Sequence, residues 1–369
     1  MKNPLIELEK FGQSVWLDNI SRDILIKGEL KKLRDEDGLK GVTSNPSIFQ
    51  KAMASGHAYD EEIKQILSNN PDISPSDLFE TLAVKDIQDA TDVLRTVYDK
   101  TSGNDGYVSI EVSPDLAYDT EGTIAEATRL HSKVGRPNVM IKIPATQEGL
   151  PAIRKMISKG VSINVTLIFS PTVYEQVVDA YISGLEDRVK NGESIKNIAS
   201  VASFFISRID SAVDKQLQEK GNKDLEGKIA IANAKLVYQT AKKLFGSERF
   251  KKLESAGAKK QRLLWASTST KNPEYSDILY VEELIGRDTV NTLPPVTLNA
   301  YRDHGNPADR IETDLETAKG QMKKIADLGI DFEAVTRKLT DDGVVLFANS
   351  FKELISAIEK KKGEVLQTV

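Results

Sequence analysis

The sequence predicts a (β/α)8 barrel, and three observations carry that reading. Eight short apolar segments rich in β-branched residues recur along the 369 residues. The stretches between them place apolar residues at helical spacing. Polar side chains of one phase collect near the carboxyl ends of those segments, where barrel active sites form.

The strand segments fall at 14–21, 40–47, 107–113, 138–144, 161–170, 198–207, 262–268 and 288–294. Strand alternating with helix implies parallel pairing. Eight units close the sheet into a barrel, whereas one unit more or fewer would leave it open. Among the helical stretches, 75–98 has apolar residues at Leu78, Leu82, Ile87, Val93, Leu94 and Val97. The stretches 151–159 and 171–191 open on proline, a residue favoured at the first helical position. Two connections, 47–107 and 207–262, are long enough for extra helices. The tail, about 308–369, holds two or three more. Leu346, Phe347, Phe351, Leu354, Ile355 and Ile358 give its last helix an apolar face expected to pack across the barrel. One domain over 1–369 is expected, with barrel strands at about 14–294 and a helical extension after them.

Composition narrows the function classes. Hydrophobic residues make up 40% and charged residues 28%, as in ordinary soluble globular proteins. The net charge is −5, with both signs interspersed and no basic stripe, which argues against nucleic acid as a partner. No cysteine is present, which excludes disulfides, thiol catalysis and cysteine-ligated metal and fits a reducing, cytoplasmic setting. The chain starts without an apolar run of signal-peptide length. No segment approaches the ~18 apolar residues of a membrane span. His57, His131 and His304 fall outside the strands and form no ligand cluster. Neither a metal nor another cofactor is expected.

Lys142 is the first candidate for catalysis. It sits near the end of the apolar segment 138–144, where a lysine is rarely buried without compensation. A lone strand lysine ordinarily snorkels to water. A desolvated ammonium instead tends to lose its proton, exposing an amine nucleophile. Alternation decides between the two. If Lys142 points inward, the same phase in other strands gives Asp18, Thr43 with Asn45, Glu111, Asn164 with Thr166, and Ser203. The opposite phase is mostly apolar: Leu17, Val42, Ile110 with Val112, Val165 with Leu167, and Ala202 with Phe204. That phase is expected to face the outer helices. Polar groups converging from six strands are poor structural filler, since each buried unpaired one costs ~1–3 kcal/mol. A lysine can form an imine with a ketone, and the imine acts as an electron sink for C–C cleavage. Asp18 and Glu111 are placed to divide the proton transfers. Asn45, Asn164, Thr166 and Ser203 suit sugar hydroxyls.

The residues also resemble a known family. The segments Thr43-Ser-Asn-Pro-Ser47, Ile110-Glu-Val-Ser-Pro-Asp-Leu-Ala-Tyr-Asp119, Met140-Ile-Lys-Ile-Pro144, Asn164-Val-Thr-Leu-Ile-Phe169 and Ala266-Ser-Thr268 are similar to those of transaldolases. The resemblance runs from about 15 to 303, and the length is similar to the longer bacterial and plant-type subfamily. It implies a class I aldolase-type barrel of the non-oxidative pentose phosphate pathway, an aldehyde/ketone-residue transferase. Such enzymes move a dihydroxyacetone unit from sedoheptulose 7-phosphate to glyceraldehyde 3-phosphate, giving erythrose 4-phosphate and fructose 6-phosphate.

By the same resemblance, Lys142 is the Schiff-base lysine and Asp18 the acid/base group. Glu111 with Thr166 holds the catalytic water. Asn45 and Asn164 bind dihydroxyacetone hydroxyls beside Thr43, and Ser203 and Phe205 line the pocket. Arg208 grips a substrate phosphate, which a guanidinium binds in bidentate fashion. The better-known branch carries a second phosphate arginine two residues after its Ala-Ser pair, where this chain has Ser269. Ser267 with Lys271 is expected to serve instead. The implied partners are sugar phosphates, and the sequence leaves a homodimer open.

Two further functions compete with transfer: a fructose 6-phosphate aldolase on the same lysine, and a sugar-phosphate-binding barrel without catalysis. The intact set of Lys142, Asp18 and Glu111 argues against the second. Two segments imitate motifs. Gly221-Asn-Lys-Asp-Leu-Glu-Gly-Lys228 resembles a phosphate loop but spaces its glycines one residue too far apart and follows with Ile229, so it reads as an interhelix turn. Asp341-Asp-Gly343 reads as a turn signal.

Overall fold

A computed structural model describes residues 3–366, Ser55 excepted. All eight strands form and pair in parallel: β1 (Gln13–Asp18), β2 (Gly41–Thr43), β3 (Tyr107–Glu111), β4 (Val139–Pro144), β5 (Ile163–Ile168), β6 (Ser200–Phe205), β7 (Arg262–Ala266) and β8 (Thr289–Leu293). They are joined in sequence order, and β8 pairs back onto β1 to close the barrel. The expected strand segments overshoot these bounds, because side chains beyond the strands cap helices. Ser21 accepts from the Ile24 N–H at the start of Arg22–Ile26. Ser170 does the same for Val173 in Pro171–Lys190.

The long connections are helical, as expected. Pro46–Ala54, Asp60–Asn69 and Pro75–Lys100 lie between β2 and β3. Ser207–Glu219, Ile229–Phe245 and Glu248–Ser255 lie between β6 and β7. The phosphate-loop imitation is an interhelix turn with a short 3-10 segment, Lys223–Leu225. No helix among the described residues is long and apolar enough to cross a membrane.

The amino end of the barrel is a polar floor. Asp105 accepts from Ser14 Oγ at 2.7 Å, Trp16 Nε1 at 3.0 Å and Arg262 Nη2 at 2.8 Å. Gly41 is required beside it, because a Cβ there would lie 2.3 Å from the Trp16 ring.

The carboxyl end is crossed by the tail. After Leu315–Asp327 comes one helix, Phe332–Leu366, of 35 residues. Near its start Glu333 accepts from Thr172, just after β5, at 3.2 Å. Asp341 accepts from Tyr118 Oη, after β3, at 3.2 Å, and Ser350 from Ser47 Oγ, after β2, at 2.8 Å. The helix therefore passes over the barrel mouth.

Three expectations are corrected here. Asp341-Asp-Gly343 is no turn; it lies inside the C-terminal helix. Gly343 serves close approach instead, since a Cβ there would stand 2.8 Å from Leu167 Cδ2. Leu167 does not keep the outward phase of Val165. The register of β5 shifts between Val165 and Ile168, and Leu167 takes a left-handed φ of 59°, which turns its side chain toward the C-terminal helix. Leu346 leaves the apolar face and is 47% exposed, while Phe347, Leu354 and Ile358 are buried.

Gly343→Val should overpack this crossing and cost roughly 1–3 kcal/mol. Thermal unfolding with amide exchange across 332–366 checks it. An unchanged melting temperature and unchanged protection of that helix would show that the close approach is not needed.

Candidate active site

Strand register sets the site. Glu111 on β3 lies beside Lys142 on β4, which lies beside Asn164 on β5. Across the barrel, Asp18 on β1 lies beside Thr43 on β2. The inward phase read from the sequence thus brings the lysine and both carboxylates to one level at the carboxyl end.

Lys142 is 5% exposed. Its Nζ donates to the Ser44 carbonyl at 3.1 Å and lies 3.5 Å from Glu111 Oε2. The second distance is an ion-pair separation without a formed hydrogen bond. Glu111 Oε2 and Thr166 Oγ1 are buried with no hydrogen-bond partner among the described residues. Such atoms cost ~1–3 kcal/mol each unless something enters to satisfy them. A ligand or water entering beside Lys142 would satisfy both.

Burial pushes the Glu111 carboxyl above the ordinary carboxylate range. Attraction to Lys142 opposes that shift, and the Asp18 charge adds to it. Burial raises the Asp18 carboxyl too, against attraction to Lys142, a hydrogen bond from Thr43 and attraction to Lys271. The Thr43 hydroxyl lies 2.7 Å from Asp18 Oδ1 and 2.7 Å from the Thr292 hydroxyl. Asp18 is half-buried.

Asn164 is tied on both sides, accepting from Ser203 Oγ at 2.7 Å and donating to Ser109 Oγ at 3.0 Å. Asn45 differs from expectation. It lies beyond β2, so strand alternation does not aim it. Its Oδ1 accepts from the Ile48 N–H at 2.9 Å, capping the helix that follows, which leaves its second lone pair and its amide nitrogen for a hydroxyl. Arg208 opens the helix after β6. Burial lowers its pKa, and its guanidinium lies 5.1 Å from the centre of the Phe205 ring. Ser267 has a left-handed φ of 57°, and its hydroxyl is 2.9 Å from that of Ser207, joining the loops after β6 and β7. Such strain in a non-glycine residue costs of order 1–3 kcal/mol and gathers at functional sites. Lys271 is exposed but close enough to Asp18 to favour its charge.

A cavity of about 500 Å³ borders the site, with Asn45, Glu111, Arg129 and Phe351 in its lining. A larger one, about 630 Å³, opens at the opposite end beside Asp105 and Arg262 and touches none of the polar constellation.

Sequence reasoning missed four participants. Ser109 shares the phase of Glu111 and could have been read from it. Thr292 lies at the end of β8 and likewise follows from alternation. The Ser44 carbonyl carries no side-chain signal. Phe347 comes from the distant C-terminal helix, and its ring centre is 5.7 Å from Lys142 Nζ.

Fold and site together define a class: a (β/α)8 barrel presenting one buried lysine and two carboxylates at the carboxyl ends of its strands. A family model described as transaldolase/fructose-6-phosphate aldolase matches residues 15–358. A transaldolase of Trichodesmium erythraeum is 48% identical, with 97% of each chain covered. A transaldolase of Thiobacillus denitrificans is 46% identical over 95% of this chain and 98% of its own. One from Mycolicibacterium smegmatis is 46% identical over 97% of each. The chain belongs to the transaldolase/fructose-6-phosphate aldolase family and is an enzyme of the transaldolase type.

Because Asp18 raises Glu111, Asp18→Asn should move the Glu111 titration to lower pH. Infrared difference titration of the carboxyl band checks this, with Glu111→Gln identifying the band. A midpoint that stays put or rises would contradict the coupling.

Proposed function

We propose that the enzyme transfers a dihydroxyacetone unit from sedoheptulose 7-phosphate to glyceraldehyde 3-phosphate through an imine on Lys142. The observation that carries this reading is the buried Lys142 amine facing Glu111, with Asp18 close enough to feel its charge. Glu111, held above the usual carboxylate range, is suited to take the proton that Lys142 must lose before attack. The amine adds to the ketose carbonyl carbon. Loss of water from the carbinolamine, with Glu111 and Thr166 positioning that water, gives the protonated imine. Asp18 then takes the proton of the alcohol next to the breaking C–C bond. The bonding electrons pass to the imine nitrogen, the aldose phosphate leaves and an enamine remains. Attack on the acceptor aldehyde and hydrolysis of the new imine complete the transfer.

Asn164 and Asn45 hold the hydroxyls of the three-carbon unit, and Ser203 fixes the Asn164 amide. Arg208 binds the phosphate, with Lys271 and Ser267 at the opposite loop. Three cations, Lys142, Arg208 and Lys271, outnumber two carboxylates here, which suits an anionic substrate. The chemistry of these substrates and the cysteine-free sequence support a cytoplasmic setting in the pentose phosphate pathway.

Borohydride added with fructose 6-phosphate should leave a stable adduct on Lys142, read by peptide mass spectrometry. An adduct on another lysine, or none, would end the proposal. Lys142→Ala should abolish turnover while circular dichroism stays native, because Asp18 and Glu111, relieved of the lysine that lowers both, can protonate. Glu111→Gln should lower kcat by roughly 10²–10⁴-fold with little change in KM. A loss confined to KM would make Glu111 a binding group only.

A further inference from the structure

The C-terminal helix sets one apolar side chain over the chemistry. The Phe347 ring centre lies 5.7 Å from Lys142 Nζ and 6.0 Å from Arg208 Cζ. Both distances are within the range of cation–π attraction. The ring is 5% exposed. One turn before it, Gly343 lets the helix settle on Leu167. About one turn after it, Ser350 is hydrogen-bonded to Ser47 in the loop after β2.

Phe347 has no donor or acceptor, so it cannot move a proton. It can occupy space that water would fill beside Lys142. That matters because an enamine on Lys142 has two fates. In transfer, its nucleophilic carbon bonds to the carbonyl carbon of an aldehyde, and the aldehyde oxygen takes a proton. In the alternative, the same carbon takes a proton, and water adds to the resulting iminium carbon. The C–N bond then breaks, releasing dihydroxyacetone and returning the Lys142 amine. The second fate needs only a proton and a water. Every productive cycle also uses one water, but Glu111 and Thr166 are placed to hold that one. A ring excluding further water would slow the second fate selectively.

We infer that Phe347 is a specificity-determining residue that directs the Lys142 enamine to an aldehyde acceptor and away from water. The inference rests on the Schiff-base reading of Lys142. It gives the C-terminal helix a chemical task and assigns that task to a residue far from the strand motifs.

The test compares wild type with Phe347→Ala and Phe347→Leu. Release of glyceraldehyde 3-phosphate from fructose 6-phosphate is measured without acceptor and, separately, with erythrose 4-phosphate. Borohydride trapping is run in parallel on all three proteins. The ratio of acceptor-free to acceptor-dependent turnover should rise about tenfold in Phe347→Ala and less in Phe347→Leu, with Lys142 labelled throughout. An unchanged ratio in both variants, with labelling intact, would overturn the inference and reduce Phe347 to packing. If removing the ring unfolds the Ala variant, the Leu variant decides by the same ratio. Absence of label on Lys142 in the wild type would instead overturn the Schiff-base reading, and this inference with it.

Discussion

The buried charge of Lys142 is the constraint around which the site is arranged. At 3.5 Å and an effective dielectric of about 20, its attraction to Glu111 is worth about 5 kcal/mol. Desolvation costs several kcal/mol for each of the two ions, so the cost matches or exceeds the attraction, in line with a Glu111 carboxyl held above the ordinary range. The pair therefore does little for stability. A small change in surroundings, such as an entering carbonyl or the loss of one proton, shifts the balance. That is a useful condition for a nucleophile and a poor one for a scaffold.

Both ends of the barrel bury polar groups. At the floor, Asp105 gathers hydrogen bonds from Ser14, Trp16 and Arg262 and joins strands to the preceding loop. At the mouth, Glu111 Oε2 and Thr166 Oγ1 stay buried without partners. Unpaired buried groups are costly and are tolerated where function needs them. Unpartnered buried atoms also occur at the floor, at Gln13 Oε1, Asn138 Oδ1 and Gln261 Oε1, and so does the larger described cavity. What separates the two ends is the helix over the mouth. It meets the barrel through Gly343 and Phe347, one residue lacking a side chain and one large and apolar.

Much of this was legible in the sequence, for a simple reason. Strand alternation is local, so one inward residue fixes the direction of its neighbours two positions away. In each strand the apolar phase marks the outward face and leaves Asp18, Thr43, Glu111, Asn164 and Ser203 on the inward one with Lys142, and register then aligns Glu111, Lys142 and Asn164. The rule fails where the strand stops or bulges. Asn45 lies past the short β2 and turns to cap a helix. Leu167 follows a register shift and faces the C-terminal helix. Asp341-Asp-Gly343 looked like a turn because aspartate and glycine favour turns locally. Its place inside a long helix, packed closely against Leu167, is set across the fold.

The sequence by itself determined the period of strands and helices, the inward polar phase and the motifs that mark the family. These depend on spacing along the chain. Only the tertiary structure decided which backbone carbonyl meets the lysine, which hydroxyls hold Asp18 and Asn164, and which ring covers the site. Those contacts join residues far apart in sequence: the apolar face of the last helix predicts that it packs across the barrel, but no local pattern records which of its side chains meets Lys142.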